Sequence, residues 1–239
     1  HRESRGLGDV YKRQIYWDDA AEYSRDVVTG YADFEGYKIY KSRDGGNTWG
    51  NPDDMIYDTD GIFAGWRPYR QYDLSAEEDS LHCVYSRGFD CPEDSRRGHP
   101  INGQDPYFPW FSLGTDTGLD AIKLDEPVVI NGDTMRYMFK DQNVTDGLEY
   151  TYSVVAYDMG VEPPFKETYA DIGGGQFEVV VDTNYSNPDQ WADPEGYASI
   201  ENSKGTTVLD RNFVQVYPGV TPVASLGDVG VVPNPYRVN

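Results

Sequence analysis

Between Glu149 and Tyr157 the chain alternates strictly. Tyr150, Tyr152, Val154 and Ala156 fall on one side, with Thr151, Ser153, Val155 and Tyr157 on the other. A period of two is that of a β-strand, whose successive side chains point to opposite faces. Tyr37-Lys38-Ile39-Tyr40-Lys41 repeats the pattern, and Ile15–Trp17, Met135–Lys140, Gln176–Asp182 and Asn212–Tyr217 read as further strands. Helical periodicity is nearly missing. Its one foothold is Ser75-Ala76-Glu77-Glu78, an S-x-x-E capping box that predicts about two turns over 76–83. The expectation is an all-β domain with at most one or two short helices, in which the stretches around Ile39 and Val154 pair within one sheet.

Residues 42–72, 86–120 and 183–207, rich in Gly, Pro, Asn and Asp, separate these strands. Structureless loops beyond about 12–15 residues are uncommon in compact domains. These spans are therefore expected to carry local structure mounted on a small β scaffold. No internal repeat is evident, which argues against a propeller or solenoid. Against 20 basic residues stand 41 acidic ones, a net charge of −21. Nucleic acids and anionic membranes are held by clustered Lys and Arg, so neither is an expected partner. Aromatic residues make up 14% of the chain, with 20 Tyr, too many for a solvated coil. The longest apolar runs, such as Val179-Val180-Val181, fall far short of a membrane-spanning helix, so no membrane insertion is expected.

Both ends read as foreign to the fold. His1–Gln14 (HRESRGLGDVYKRQ) resembles translated adapter read-through at the end of a metagenomic gene fragment, with a basic N-terminal arm as the alternative. Pro218–Asn239 turns Pro- and Val-rich. The resulting division is 1–14 outside the fold, a domain over 15–218 with an insertion at about 50–135, and 219–239 as a linker opening a following domain.

Four features carry candidate chemistry. Ser42-Arg43-Asp44-Gly45-Gly46-Asn47-Thr48-Trp49 matches the Asp-box pattern S-x-D-x-G-x-T-W. Physically it is a tight hairpin turn: Asp44 accepts backbone N–H groups, Gly45 and Gly46 admit positive φ, Thr48 closes the turn, and Trp49 covers its base. The functional alternative is a sialidase-like blade, but such enzymes carry several boxes and this chain has one. Cys83 and Cys91 bracket seven residues and, in an exported protein, form a local disulfide. A metal pair aided by His82 and His99 is the alternative, although the spacing fits no zinc pattern.

Asp58-Thr59-Asp60-Gly61 opens like a calcium loop, and Asp116-Thr117-Gly118-Leu119-Asp120 with Asp125 offers a second group of oxygens. A structural calcium ion on Asp58, Asp60, Asp116 and Asp120 is set against solvated acidic turns, since position 69, where an EF-hand would need Glu, is Tyr69. No other cofactor is implied. Finally, Pro106–Phe111 (PYFPWF) is either the miniature core of an insertion or an exposed platform on which Tyr107 and Trp110 stack against sugar rings. No Ser-His-Asp or Cys-His set, G-x-S-x-G elbow, P-loop or HExxH is present, so no catalytic residue is assigned. Paired carboxylates of a glycosidase stay open among 41 acids, because sequence spacing does not fix their separation in space.

Trp17, the segment Asp33–Ser42 and the segment Tyr150–Asp158 resemble the B, C and F strands of a fibronectin type III module. Val231-Val232-Pro233-Asn234-Pro235-Tyr236 resembles the opening of the C-terminal sorting or immunoglobulin-like segment of proteins exported by the type IX secretion route. The resemblance implies a fibronectin type III or immunoglobulin-like sandwich with long loop-rich insertions, and a tyrosine corner on Tyr150 or Tyr152. It implies a non-catalytic spacer or adhesion module, extracellular or at the cell surface. Its partners would be neighbouring domains of the same chain, with a glycan or cell-surface protein possible through its loops. The alternatives are a carbohydrate-binding module and a fragment of an Asp-box glycosidase. Lys41 and Tyr150 lie over a hundred residues apart, a wide departure from the family's spacing.

Overall fold

The computed structural model describes residues 14–27, 30–57, 61–100, 116–161, 166–174, 176–182 and 197–219. Among them the strands run β1 (Gln14–Trp17), β2 (Phe34–Ser42), β3 (Met55–Tyr57), β4 (Phe63–Trp66) and β5 (Arg70–Asp73). After helix α1 (Ala76–Leu81) come β6 (Lys123–Ile130), β7 (Asp133–Lys140), β8 (Tyr150–Val161), β9 (Lys166–Gly173), β10 (Gln176–Asp182), β11 (Tyr197–Glu201) and β12 (Phe213–Val216). The fold is all-β, as the alternation demands. No helix among the described residues is long and apolar enough to cross a membrane.

Two antiparallel sheets face each other. The smaller has the order β1-β7-β6. The larger has the order β11-β8-β2-β5, with β12 also pairing along β8. β2 and β8 pair over most of their length, and Ile39 lies directly opposite Val154. Ile15 and Phe139 from the small sheet pack onto Ile39, Tyr150 and Tyr152 from the large one. A continuous second cluster gathers Phe34, Tyr37, Leu74, Ile122 and Tyr137, with Val154 and Ala156 against it. Tyr150, Tyr152, Val154 and Ala156 thus share the inner face, as their spacing predicts. The hairpins β3–β4 and β9–β10 form two-stranded sheets of their own. The span 50–135 contributes β5 to the large sheet and β6 to the small one.

One expectation needs refinement. Alternation in β8 predicts a half-buried strand, yet Tyr150, Thr151, Tyr152 and Ser153 are all buried. The reason lies on the outer face of the large sheet, where Tyr40, Trp49, Val155 and Phe213 form a third apolar cluster with Trp66 against it. The turn after β2 and the β3–β4 hairpin supply that cover.

The interior contains many tyrosines, and each hydroxyl needs a partner once buried. Carboxylates provide them. Glu22 accepts from Tyr37 (3.3 Å) and Tyr137. Asp141 accepts from Tyr152 (2.6 Å), Tyr69 (2.9 Å) and the Asn143 amide (2.8 Å), and pairs with Lys41 Nζ at 2.7 Å. Glu201 accepts from Tyr40 (2.6 Å) and pairs with Lys38 (3.3 Å) and Lys204. Burial, with the adjoining carboxylates, pushes the Tyr37, Tyr40 and Tyr152 hydroxyls far above the usual phenol range. Tyr150 behaves differently: its hydroxyl oxygen accepts the Thr145 backbone N–H (2.9 Å), and this bond lowers its pKa.

β5 can approach β2 because residue 36 is glycine. A Cβ there would stand 2.2 Å from the Tyr72 carbonyl oxygen and 2.8 Å from Asp73 Cα. Gly36→Ala is expected to cost at least about 2 kcal/mol in urea unfolding, through forced separation of the two strands. Gly65→Ala, with nothing within 4 Å of its Cβ, is the control and should change stability by less than about 1 kcal/mol.

Candidate functional site

Perturbed carboxylates gathered beside a cavity are the default place to look for chemistry. Such a place exists where the disulfide-closed segment meets the large sheet. The sheet side is built by a β-bulge: pairing of β2 with β8 slips between Phe34 and Gly36, leaving Glu35 as the extra residue. A bulge re-aims the side chain it carries. Glu35 is 1% exposed, and neither carboxylate oxygen has a hydrogen-bond partner among the described residues.

The other side is built by α1 and the disulfide. Ser75 caps the helix by accepting the Glu78 amide (3.2 Å), while the Glu78 carboxylate accepts the Ser75 N–H (3.4 Å). This is the predicted capping box, and it holds Asp79 inward, 2% exposed. Cys83 and Cys91 are joined in a disulfide. Cys83 also bridges to Arg96 in β fashion. The Arg97 amide donates to the His82 carbonyl (2.8 Å) and the Gly98 amide to the Ser80 carbonyl (2.8 Å), so the returning chain lies on α1.

That return places Arg97 between the two sides. Its guanidinium donates to Asp79, to the Ala32 carbonyl and to the Phe34 carbonyl (3.2 Å), and stands 3.6 Å from Glu35. Burial first, then the charge of Asp79, pushes the Glu35 carboxyl well above the usual range. Burial and Asp158 push Asp33 up to about 6. Burial raises Asp158 too, although Arg97 pulls the other way. Beside this cluster a cavity of about 20 Å³ is lined by Glu22, Phe34, Leu74, His82, Arg87 and Arg97. A water molecule requires roughly 10–15 Å³ on this measure, so the space suits one water and not a metabolite or a sugar. The cluster is chemically suited to binding protons and joining two segments.

The residues singled out from sequence are distributed elsewhere. At the turn after β2, Ser42 Oγ donates to Asp44 (2.7 Å) and accepts the Gly46 amide (2.9 Å). Asp44 accepts the Thr48 amide (2.9 Å) and hydroxyl (2.8 Å). Slight burial raises the Asp44 carboxyl, but the Ser42 and Thr48 bonds outweigh it and hold the pKa below the usual range. Gly46 has φ +93°, and a Cβ there would lie 2.7 Å from the Phe213 ring. Trp49 is buried against Tyr40 and Phe213. Every side chain of the motif is used to hold the turn on the sheet.

Asp116 has φ +53° and accepts the Ala76 amide (2.7 Å), the first residue of α1. Asp120 is exposed near the following turn. Asp58 and Asp60, and likewise Tyr107 and Trp110, lie outside the described residues. Among the described residues no group of three or more His, Cys, Asp or Glu side chains is arranged to hold a metal ion. His82 stacks against Phe89 with ring centroids 4.4 Å apart, and His99 sits at the return loop.

Sequence reasoning missed Asp33, Glu35, Asp79, Asp158 and Arg97 as a group. They span four stretches of chain, and only the capping box marks one of them. No protein-family model matches the chain, and neither does any curated protein or solved structure at a significant level.

If Arg97 is the counterion that makes the cluster tolerable, removing it leaves buried carboxylates uncompensated. Arg97→Ala is expected to cost about 3–5 kcal/mol at neutral pH. Asp79→Asn should cost distinctly less, because it removes a charge from an acid-rich cluster. Chemical denaturation of the two variants measures the difference; equal costs would contradict the role given to Arg97.

Proposed function

We propose that the chain is a non-catalytic module of fibronectin type III or immunoglobulin type, from an exported protein, which spaces or presents neighbouring domains. The observation that carries this reading is the strand order. In chain order, β1, β2, β6, β7, β8 and β12 fit strands B, C, D, E, F and G of that family, whose sheets run B-E-D and C-F-G. The small sheet here runs β1-β7-β6, and β2, β8 and β12 adjoin in the large one. The Tyr150 hydroxyl, bonded to the Thr145 amide upstream, supports the reading as a counterpart of the family's tyrosine corner. The Cys83–Cys91 disulfide supports an oxidising location outside the cytosol. Inference from fold to role is analogy, and what supports a passive role is that the one guanidinium of the site is engaged by Asp79 and by the carbonyls of Ala32 and Phe34.

A second reading, carbohydrate recognition, draws on the β3–β4 hairpin. Tyr57 and Phe63 are 53% and 45% exposed there. Their rings stand 76° apart, which gives an edge contact and not the coplanar platform that stacking on sugars favours.

Thermal melting against neutral and acidic oligosaccharides separates the two readings. A spacer keeps its midpoint unchanged throughout the panel. A sugar-binding module held at a hundredfold its dissociation constant gains about 2.7 kcal/mol, which for a chain of this size raises Tm by about 5 °C or more. Such a shift, abolished by Tyr57→Ala or by Trp110→Ala, would overturn the passive reading.

A further inference from the structure

Whatever the module carries or meets, its disulfide-closed segment is docked through a seam whose charges do not balance. We propose that Asp33, Glu35 and Asp158, facing Arg97 across the seam between the large sheet and residues 76–99, form an acid-tightened latch. Proton uptake locks the segment onto the sheet, and proton loss loosens it.

The geometry argues this in three steps. First, Arg97 is committed: its donors go to Asp79 and to the carbonyls of Ala32 and Phe34, with Glu35 in ion-pair range at 3.6 Å. Its Nε–H is buried and has no hydrogen-bond partner among the described residues. One guanidinium therefore stands against Glu35 and Asp79, and its charge is also the one that offsets Asp33 and Asp158. Second, the bulge in β2 forces the crowding. Glu35 is the inserted residue, Phe34 lies opposite Asp158, and the Asp33 carbonyl accepts the Met159 amide (3.1 Å), so acids from β2 and β8 meet on neighbouring strands. Third, the other ties of the segment lie to the side of these acids: Arg87 pairs with Asp19 (3.4 Å) and Glu22, in the turn after β1. The backbone bonds from the Ala32 amide to the Val84 carbonyl (2.7 Å) and from the Leu74 amide to the Glu35 carbonyl (2.8 Å) flank the seam, and Arg97 is its centre.

Every element packed at the seam supplies a titratable or charged group. β2 and the chain before it give Asp33, Glu35 and Asp26; β8 gives Asp158; α1 and its C-terminal end give Glu78, Asp79 and His82; the turn after β1 gives Glu22, paired with Arg87 of the disulfide loop; the return loop gives Arg97. Asp33 titrates at about 6 in the folded chain, against about 3.9 when exposed, and Glu35 and Asp158 are displaced in the same direction. A carboxyl raised on folding contributes its full stabilisation below its exposed pKa, and that contribution is lost as pH climbs through the folded value. His82 has the opposite sign. Burial and Arg97 lower its pKa, so acid works against docking through it. The direction of the response therefore identifies the responsible groups.

Hydrogen exchange of peptides over 76–99, corrected for the intrinsic pH dependence of exchange, tests the latch on the full chain. Protection should be greater at pH 5.5 than at pH 7.5, by about fourfold from Asp33 alone and more with Glu35 and Asp158. Peptides over β3 and β4, whose Trp66 packs on the outer face of the large sheet, serve as the reference and should not follow. In Asp33→Asn/Glu35→Gln/Asp158→Asn, where amides mimic the protonated acids, protection at pH 7.5 should rise to the level seen at pH 5.5. His82→Gln should leave the acid tightening in place. Equal protection at both pH values, stronger protection at pH 7.5, or a response that survives in the triple amide variant would each overturn the proposal. Should the triple variant fail to fold, Asp33→Asn alone should reduce the response by about fourfold, and an undiminished response would overturn the proposal.

Discussion

A tyrosine buried in a β-sandwich brings a hydroxyl that must find an acceptor, and a buried carboxylate must find donors. At Glu22, Asp141 and Glu201 this molecule meets both demands by bringing them together. Asp141 is the clearest case. It follows the end of β7 in the small sheet and receives hydroxyls from Tyr152 on β8 and Tyr69 before β5. Lys41 of β2 completes the set at 2.7 Å, its ammonium 4.7–4.8 Å from the ring centroids of Tyr150 and Tyr69. One carboxylate thereby ties both sheets and both central strands. Burial raises the Asp141 carboxyl, but the bonds from Lys41 and Tyr152 outweigh that effect and hold it below the usual range.

The same economy accounts for the charge balance. Lys38, Lys41, Arg87, Arg97 and Lys204 all pair with carboxylates at or below the surface. Arg87, carried on the disulfide loop, reaches Asp19 at 3.4 Å and pairs with Glu22, the acceptor for Tyr37 and Tyr137. The Cys83–Cys91 bridge thus does more than close a loop: it fixes the segment that delivers two arginines, Arg87 and Arg97, to buried acids. In a chain of net charge −21, these five cations are thus engaged by acids of the fold itself.

Much of this was legible from residues. The alternation in Tyr37–Lys41 and Tyr150–Tyr157 marked the two central strands, and the Ser75–Glu78 box marked α1. The spacing of Cys83 and Cys91 marked the disulfide. β3, β4 and β5 were hidden inside 42–72 because strands of three or four residues separated by Gly, Pro and Asp leave no periodic signal. β6 was obscured by Pro127 and by the acids Asp125 and Glu126. The double-sided burial of β8 could not be read, since Thr151 and Ser153 look like outward residues until Trp49 and Phe213 are seen covering that face. The Arg97 seam was illegible for a deeper reason: buried ionic clusters are assembled from distant stretches, and Asp33 and Asp158 acquire their character only through a bulge and a neighbouring strand.

Carboxylate–tyrosine contacts, above all at Asp141, tie the two sheets together. A double-mutant cycle with Tyr152→Phe and Asp141→Asn, read by urea unfolding, measures it most directly. The claim predicts non-additive losses, with a coupling free energy above about 1 kcal/mol between the two sites. Losses that add within about 0.5 kcal/mol would contradict it.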